Sequence, residues 1–435
     1  MNLLIALPTS LLVSFAVATL TVGEANATDF STTNTGTIAS FWAAAESTNK
    51  PVTVVSFGDS MADSYRSPTF HLMNKLATRI GIAGYSLNNY KNTALWVITN
   101  GSYEVQTGPL WFSQYFALPA GSSFWWNNQL NAGGVACDVA GIFYVAQPQG
   151  GQFNFSISTN GGPWTPHLVL DGYNVTAVGR YTNVALPQNN YRIRLDSIAG
   201  TNYVIGRHQV LSHSGGVNAT FVDYPGISLG QVTNVPLAIR QPIFAALNPD
   251  LIIWHMKEPL TALTSRMEEN ERWWSNSAPN TAVLYIGTPW GDYDTNTTQT
   301  IDGNVIARNI ALNHHRAYVD LMQPTVSYSW LLTNGFMADG VHLTSAGGLY
   351  CASIMWDDLG FFALGLDKKI SLAKTGSQIN LSYNTSTGAV YRLEVSTNLQ
   401  TWSAVVTNSV GNALFSTNFI PPTTPAYYRL GLRPN

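Results

Sequence analysis

Pro51-Val-Thr-Val-Val-Ser-Phe-Gly-Asp-Ser-Met-Ala-Asp-Ser64 is the stretch that decides the fold. Val52, Thr53, Val54, Val55 and Phe57 make a short apolar, β-branched run of the kind that forms a buried strand. Gly58-Asp59-Ser60 ends it with turn residues, which take the chain off the sheet edge. In an open α/β sheet, ligands sit outside the carboxyl ends of the strands. A serine there is presented to a substrate. Taken alone, Gly-Asp-Ser reads first as an ordinary turn with a helix cap. A second stretch, Met337-Ala-Asp-Gly-Val-His-Leu-Thr-Ser-Ala-Gly347, overturns that reading, because Asp339 and His342 stand three residues apart on one local turn. A serine hydroxyl needs an adjacent base to act as a nucleophile. A histidine supplies the base, and a carboxylate fixes its tautomer and stabilises the imidazolium.

At 435 residues the chain has room for two or three domains with substantial cores. A net charge of −3 with only 10% charged residues excludes a basic nucleic-acid binder and a polyanion alike. Thirteen Trp and 20 Tyr among abundant Asn, Thr, Ser and Gly fit strand-rich extracellular modules. Most of these aromatics are expected in cores, although their faces also suit stacking on sugars. The apolar run from Leu3 to Val22 ends in Ala25-Asn26-Ala27, as a secretory leader cleaved after Ala27 would, although no Lys or Arg precedes it. Pro8, Thr9 and Ser10 interrupt it as a membrane span, and no other stretch is apolar for long enough. The mature chain is therefore expected to be secreted, periplasmic or at the cell surface, with no membrane span. Cys137 and Cys351 fall in different predicted domains, so there is no disulfide framework; they form one bridge or remain two small buried hydrophobes. His314 and His315 are adjacent and point to different faces, which reads as helix surface rather than metal ligation. No metal or cofactor is expected.

Ile38 to Ala45 reads as a short helix before the first strand, and Phe70 to Ile80 as an amphipathic helix that places His71 on its face. From about Asn89 to Phe221, short β-type runs alternate with Gly, Pro and Asn turns, as at Gly141-Ile-Phe-Tyr-Val and Tyr191-Arg-Ile-Arg-Leu. That pattern predicts a β-sandwich inserted at about residues 106–222. The segment from Asn248 to Pro259 reads as a buried parallel strand by composition. Further elements follow: a helix from Leu260 to Ser275, a strand at Ala282–Ile286, a helix from Val305 to His315, a strand from Ala317 to Leu321 and a helix from Ser345 to Leu359. Alternating strands and helices predict a doubly wound parallel sheet formed by residues 28–105 and 223–366. Residues 367–435 alternate by two and predict a small C-terminal β-sandwich.

Together, Gly-Asp-Ser after a strand and Asp-Gly-Val-His before a late helix resemble the SGNH (GDSL-type) serine hydrolases. The resemblance implies Ser60 as nucleophile, His342 as base and Asp339 as its partner. Tyr224-Pro-Gly-Ile-Ser-Leu-Gly-Gln231 resembles the family's second block, in which a glycine N–H joins the oxyanion hole. Gly230 matches best and Gly226 second; as plain loop glycines both would only permit positive φ. In the third block the family carries Gly-x-Asn-Asp, whose asparagine is a side-chain oxyanion donor. This chain departs from it with Lys257-Glu258-Pro259, and proline cannot donate. Lys257 and His255, on one face of the same strand end, are the candidates to substitute; Lys257 paired with Glu258 or a helix carboxylate and facing solvent is the alternative. Gly150-Gly-Gln-Phe-Asn-Phe-Ser-Ile-Ser158 resembles carbohydrate-binding jelly rolls, and the C-terminal strands resemble fibronectin-like modules. A sandwich that only shapes the cleft is the competing reading of the insertion.

The implied function is a secreted esterase that removes acyl groups, acetyl foremost, from a polysaccharide or other glycan, without cofactor. Two alternatives stand beside it: a carbohydrate-binding or surface-attachment protein with an impaired hydrolase fold, and an esterase for small or lipid esters.

Overall fold

The structure is a computed structural model that describes residues 5–7, 32–46, 49–62, 65–87, 97–128, 136–223, 228–255, 263–295, 299–360, 370–375, 378–384, 389–396, 403–410, 414–419 and 426–434. Contacts divide the chain into residues 27–355 and a second unit of residues 1–26 with 356–435. A three-residue strand, β1 (Ile5–Leu7), belongs to the second unit.

The larger unit opens with α1 (Ala39–Ala45), β2 (Val52–Gly58), α2 (Pro68–Ile80) and β3 (Ile82–Ser86). β2 is buried along its whole length, as its unbroken apolar run requires. Ser67 starts α2 by accepting the Phe70 N–H, with Pro68 in the first turn. Ten strands follow: β4 (Val97–Gly101), β5 (Glu104–Gly108), β6 (Trp111–Pro119), β7 (Ser123–Asn128), β8 (Cys137–Ala146), β9 (Gln152–Thr159), β10 (Thr165–Asp171), β11 (Val178–Asn189), β12 (Tyr191–Ser197) and β13 (Thr201–Val210). The chain then runs through β14 (Val217–Asp223), α3 (Leu229–Asn234), α4 (Leu237–Leu247), β15 (Leu251–His255), α5 (Leu263–Ser277), β16 (Ala282–Ile286), α6 (Gln299–Asn313), β17 (Ala317–Val319), α7 (Tyr328–Thr333) and α8 (Ser345–Asp358).

The α/β core is a parallel sheet in the order β3-β14-β2-β15-β16-β17. Strands β3 and β14 lie on one side of β2, and β15, β16 and β17 on the other. The carboxyl end of β2 is therefore the switch point of a doubly wound sheet, where the fold opens a crevice. One face packs on α2; the other buries an aromatic cluster in which Phe57 stacks on Trp254 at 4.8 Å and meets Trp274 edge-on at 5.6 Å. That cluster absorbs several of the tryptophans, as a core role requires.

Two features differ from the sequence reading. The parallel strand β14, which fills the place between β3 and β2, lies almost wholly inside the stretch assigned to the insertion. The inserted strands also do not form a separate body. β13 pairs antiparallel with the core strand β3 (His208 opposite Ser86, Val210 opposite Gly84) and carries β8, β11 and β6 beyond it, so one sheet runs through both parts. A buried polar chain crosses the seam. His208 Nδ1 lies 2.7 Å from Ser86 Oγ, the Ser86 hydroxyl donates to Asn218 Oδ1 at 3.0 Å, and Asn218 Nδ2 donates to Thr53 Oγ1 at 3.2 Å. With the one Ser86 proton committed to Asn218, His208 donates from Nδ1, and burial pushes its pKa down to about 4, so it is neutral. A second sheet, β10-β9-β12-β7-β4, packs over this extension across a core of Phe124, Trp126, Phe153, Phe155, Ile193 and Leu195.

The second unit contains β18 (Ile370–Thr375), β19 (Gln378–Asn384), β20 (Ala389–Ser396), β21 (Ser403–Val410), β22 (Leu414–Phe419) and β23 (Ala426–Pro434). They form antiparallel sheets β1-β23-β20-β21 and β18-β19-β22, so Ile5–Leu7, from the stretch read as a leader, pairs with Ala426–Tyr428. Cys137 and Cys351 are separate buried thiols, and burial raises both to about 12. His314 pairs with Glu268 at 2.8 Å, tying α6 to α5. Among the described residues no helix is long and apolar enough to cross a membrane.

Candidate functional site

The site forms where β2 leaves the sheet. A Cβ on Gly58 would stand 2.2 Å from the His255 carbonyl oxygen and 2.4 Å from the Ala62 Cβ. Only glycine lets the turn fold down over the end of β15. Asp59 is buried, and its Oδ1 accepts the Met61 N–H at 2.8 Å while its carbonyl accepts from Ala62 at 3.1 Å. That Asx-type turn holds Ser60 half-exposed at the tip.

The partner turn lies just before α8. Asp339 Oδ1 accepts the backbone N–H groups of Val341 and His342, both at 2.7 Å, and the Ala338 N–H donates to the His342 carbonyl at 2.8 Å. These bonds wind residues 338–342 into one tight loop. From it, His342 Nε2 reaches Ser60 Oγ at 2.9 Å, while Nδ1 faces Asp339 Oδ2 at 2.9 Å and Oδ1 at 3.2 Å. The backbone N–H of His342, foremost, holds the Asp339 carboxyl down at about 2, so it is ionised at any ordinary pH. An ionised Asp339 fixes the proton on Nδ1 and leaves the Nε2 lone pair facing the serine hydroxyl. The arrangement can take a proton from Ser60.

Two contacts brace the loop from outside. The Asp292 N–H donates to the Gly340 carbonyl at 2.8 Å, and a Cβ on Gly340 would fall 2.1 Å from Asp292 Oδ2. A Cβ on Gly348, in the first turn of α8, would fall 2.0 Å from the Arg66 carbonyl oxygen. Gly348 thus lets the helix behind His342 touch the segment that follows Ser60. His71 on α2 adds a 3.3 Å contact to Ser345 Oγ, a helix-face role.

The other site residues read from the sequence are placed less completely. Gly230 is the second residue of α3, a helix closed by a reciprocal box: Ser228 Oγ accepts from Gln231 N at 3.2 Å, and Gln231 Oε1 accepts from Ser228 N at 2.7 Å. Its N–H belongs to the first turn, where helix amides have no intrahelical acceptor. The Arg266 guanidinium lies 3.0 Å from where its Cβ would be. His255 is fully buried at the last position of β15, opposite Gly58. Gly226, Lys257 and Pro259 lie outside the described residues. A cavity of about 30 Å³ beside Trp254, Thr288 and Asn304 has room for a water or two, not a sugar, and includes none of Ser60, His342 and Asp339.

No family model matches the sequence, and no curated protein matches it. Among solved structures, the chain is similar to a peptidoglycan O-acetylesterase at a TM-score of 0.59 and 16% identity, over 77% of this chain and 97% of that one. Weaker likenesses are to a lipase/acylhydrolase from Enterococcus faecalis (TM-score 0.26, 17% identity, 32% of this chain and 74% of that one) and to a family 2 carbohydrate esterase with a carbohydrate-binding domain from Corynascus thermopiles (TM-score 0.26, 11% identity, 60% and 99%). The fold is that of the SGNH hydrolases.

Within that fold, Ser60, Asp339 and His342 are the residues the sequence singled out and the structure brings together. Asp292, Arg66 and Arg266 were not read from the sequence. The only sequence signal for their contacts is the glycine each one approaches, since a glycine in a turn or first helical turn often marks a close approach.

Proposed function

We propose that the chain is a secreted serine esterase that removes acyl groups, acetyl foremost, from a polysaccharide. The observation that carries the reading is the 2.9 Å contact between Ser60 Oγ and His342 Nε2, with Asp339 on the far nitrogen. In this reading Ser60 Oγ attacks the ester carbonyl as His342 takes its proton. The oxyanion is held by the N–H groups of Ser60 and Gly230. Collapse expels the sugar hydroxyl, which takes the proton back from His342 and leaves an acyl-serine. Water, activated by the same imidazole, then releases the carboxylate product. Gly226, His255 and Lys257 are the further candidates for oxyanion or substrate contact.

The glycan substrate is supported by the extracellular character of the composition and by the fold shared with an enzyme described as acting on peptidoglycan O-acetyl groups. Ser60→Ala removes only the nucleophile. Hydrolysis of a short aryl acetate and of acetylated polysaccharide is expected to fall by about 10³-fold or more with an unchanged circular dichroism spectrum. Undiminished turnover in the folded variant would sink the assignment. Pro259, standing where the family carries an asparagine, favours a second reading as a binding protein with an impaired site. Native chain that binds glycans but turns over no ester on a panel of acetylated xylan, peptidoglycan and alginate would support it.

A further inference from the structure

We propose that the outer face of the sheet β10-β9-β12-β7-β4 is a binding platform for an extended, carboxylate-bearing glycan. This goes beyond the esterase reading and does not depend on it. Alternation along these strands sends Phe124, Trp126, Phe155, Ile193 and Leu195 into the core. The intervening residues face outward. Ser156, Arg194 and Trp125 stand side by side on three adjacent strands, and Val169, Asn154 and Asp196 form the neighbouring row. Trp164, on the connection from β9 to β10, lies over this surface. The Arg192 guanidinium sits 5.0 Å and the Arg194 guanidinium 5.9 Å from its ring centre, and Arg194 also sits 5.8 Å from Trp125. Indoles and guanidiniums thus alternate in one layer, and Ser158 beneath it is completely covered although it points outward. At the open end Val169 is 62% exposed.

The charges on the face are unevenly placed: Arg192 stands at the Ser158 end, and Asp171, which also points outward, at the Gln152 end. Arg194 pairs with Asp196 at 2.6 Å. Arg192 donates only to neutral oxygens, Ser158 Oγ at 3.0 Å and the Gly162 carbonyl at 3.5 Å. At the Arg192 end of the face one guanidinium thus has no carboxylate beside it, a local feature on a chain of net charge −3. Its planar donor fork matches a carboxylate. Indole rings held by cation–π contacts, with little rotamer freedom left to lose, suit the C–H faces of pyranose rings. A protein partner would call for a larger apolar area, and a nucleic acid for several more cations. A uronic-acid-type glycan combines the two chemistries present.

The test uses the full chain and measures binding of oligogalacturonate and of a neutral xylo-oligosaccharide of equal length by calorimetry at low salt. The native chain is expected to prefer the charged oligomer. Arg192→Gln should weaken that oligomer about tenfold and erase the preference, and Trp164→Ala should weaken both about tenfold. Thermal melting and near-ultraviolet dichroism verify the fold of each variant, with Arg194→Gln as a second charge variant should Arg192→Gln misfold. Aryl acetate turnover is read separately and should stay at the native value, so failure of the esterase reading is visible by itself. Equal affinity for the two oligomers, no binding of either, or folded variants that bind as the native chain does would each overturn the proposal.

Discussion

Asp339 divides its two oxygens between two tasks. Oδ1 closes the loop through two backbone N–H groups, and Oδ2 faces the imidazole. Asparagine keeps an acceptor for the backbone but opposes Nδ1 with an amide donor, which favours the wrong tautomer. Asp339→Asn is therefore expected to lower kcat about 10³- to 10⁴-fold while the melting temperature holds. Steady-state kinetics beside a thermal scan checks it; a loss of activity matched by a loss of stability would mean that Asp339 only builds the loop. Asp339 itself stays ionised down to about pH 2, so acid above that point leaves its hold on the loop intact. Ser60, Asp339 and His342 were legible in the sequence because each sits in a short motif whose geometry is fixed by its own backbone. The oxyanion donors proposed for the site were less so. Pro259 shows what is missing from the third block, but what replaces an asparagine is decided by residues brought near in space.

The turn that carries His342 is braced by elements distant in sequence, and the two braces differ in stiffness. At Gly340 an added methyl would meet the Asp292 carboxylate, the end of a side chain that can swing aside. At Gly348 it would meet the Arg66 backbone carbonyl, which cannot yield without moving the segment after Ser60. Gly348→Ala is therefore expected to cost about 1–3 kcal/mol of stability and to lower kcat by separating Ser60 from His342. Gly340→Ala should cost well under half as much in both. Denaturant titration and kinetics on the pair test this, and equal effects would show that neither contact sets the Ser60–His342 distance. The helices themselves were readable: Phe70 to Ile80 and Ser345 to Leu359 match α2 and α8 closely. Their docking was not, since helical spacing gives the buried face but not the carbonyl that a glycine will meet.

On the scale of the whole larger unit, the β-rich segment is a continuation of the central sheet. Short alternating runs made its strands legible, as at Tyr191-Arg-Ile-Arg-Leu. Which edge they would join was not, because any edge strand offers the same row of amides and carbonyls. β14 escaped for a related reason: Val217–Asp223 resembles its inserted neighbours in composition, and only pairing with β2 and β3 marks it as a core strand. Excising residues 97–210 with a short linker would strip β3 of β13 and leave the chain from His208 to Thr53 without its first member. The remainder is expected to be insoluble or to melt far below the native chain, and a protease-resistant, active remnant would disprove the continuity. Thermal melting and aryl acetate turnover of the excised form decide it.

The position of β14 also bears on how the molecule is made. Its Asn218 bonds Thr53 across a separation of 165 residues. A ribosome adding 5–20 residues per second needs roughly 8 to 33 s to cover that distance. Throughout that interval β2 and β3 have no strand between them, and the apolar segment that leads to Ser60 is without its lasting neighbour. The parallel pairing of β2 cannot be completed on that side until residue 223 has emerged, and refolding from denaturant must wait on the same long-range closure.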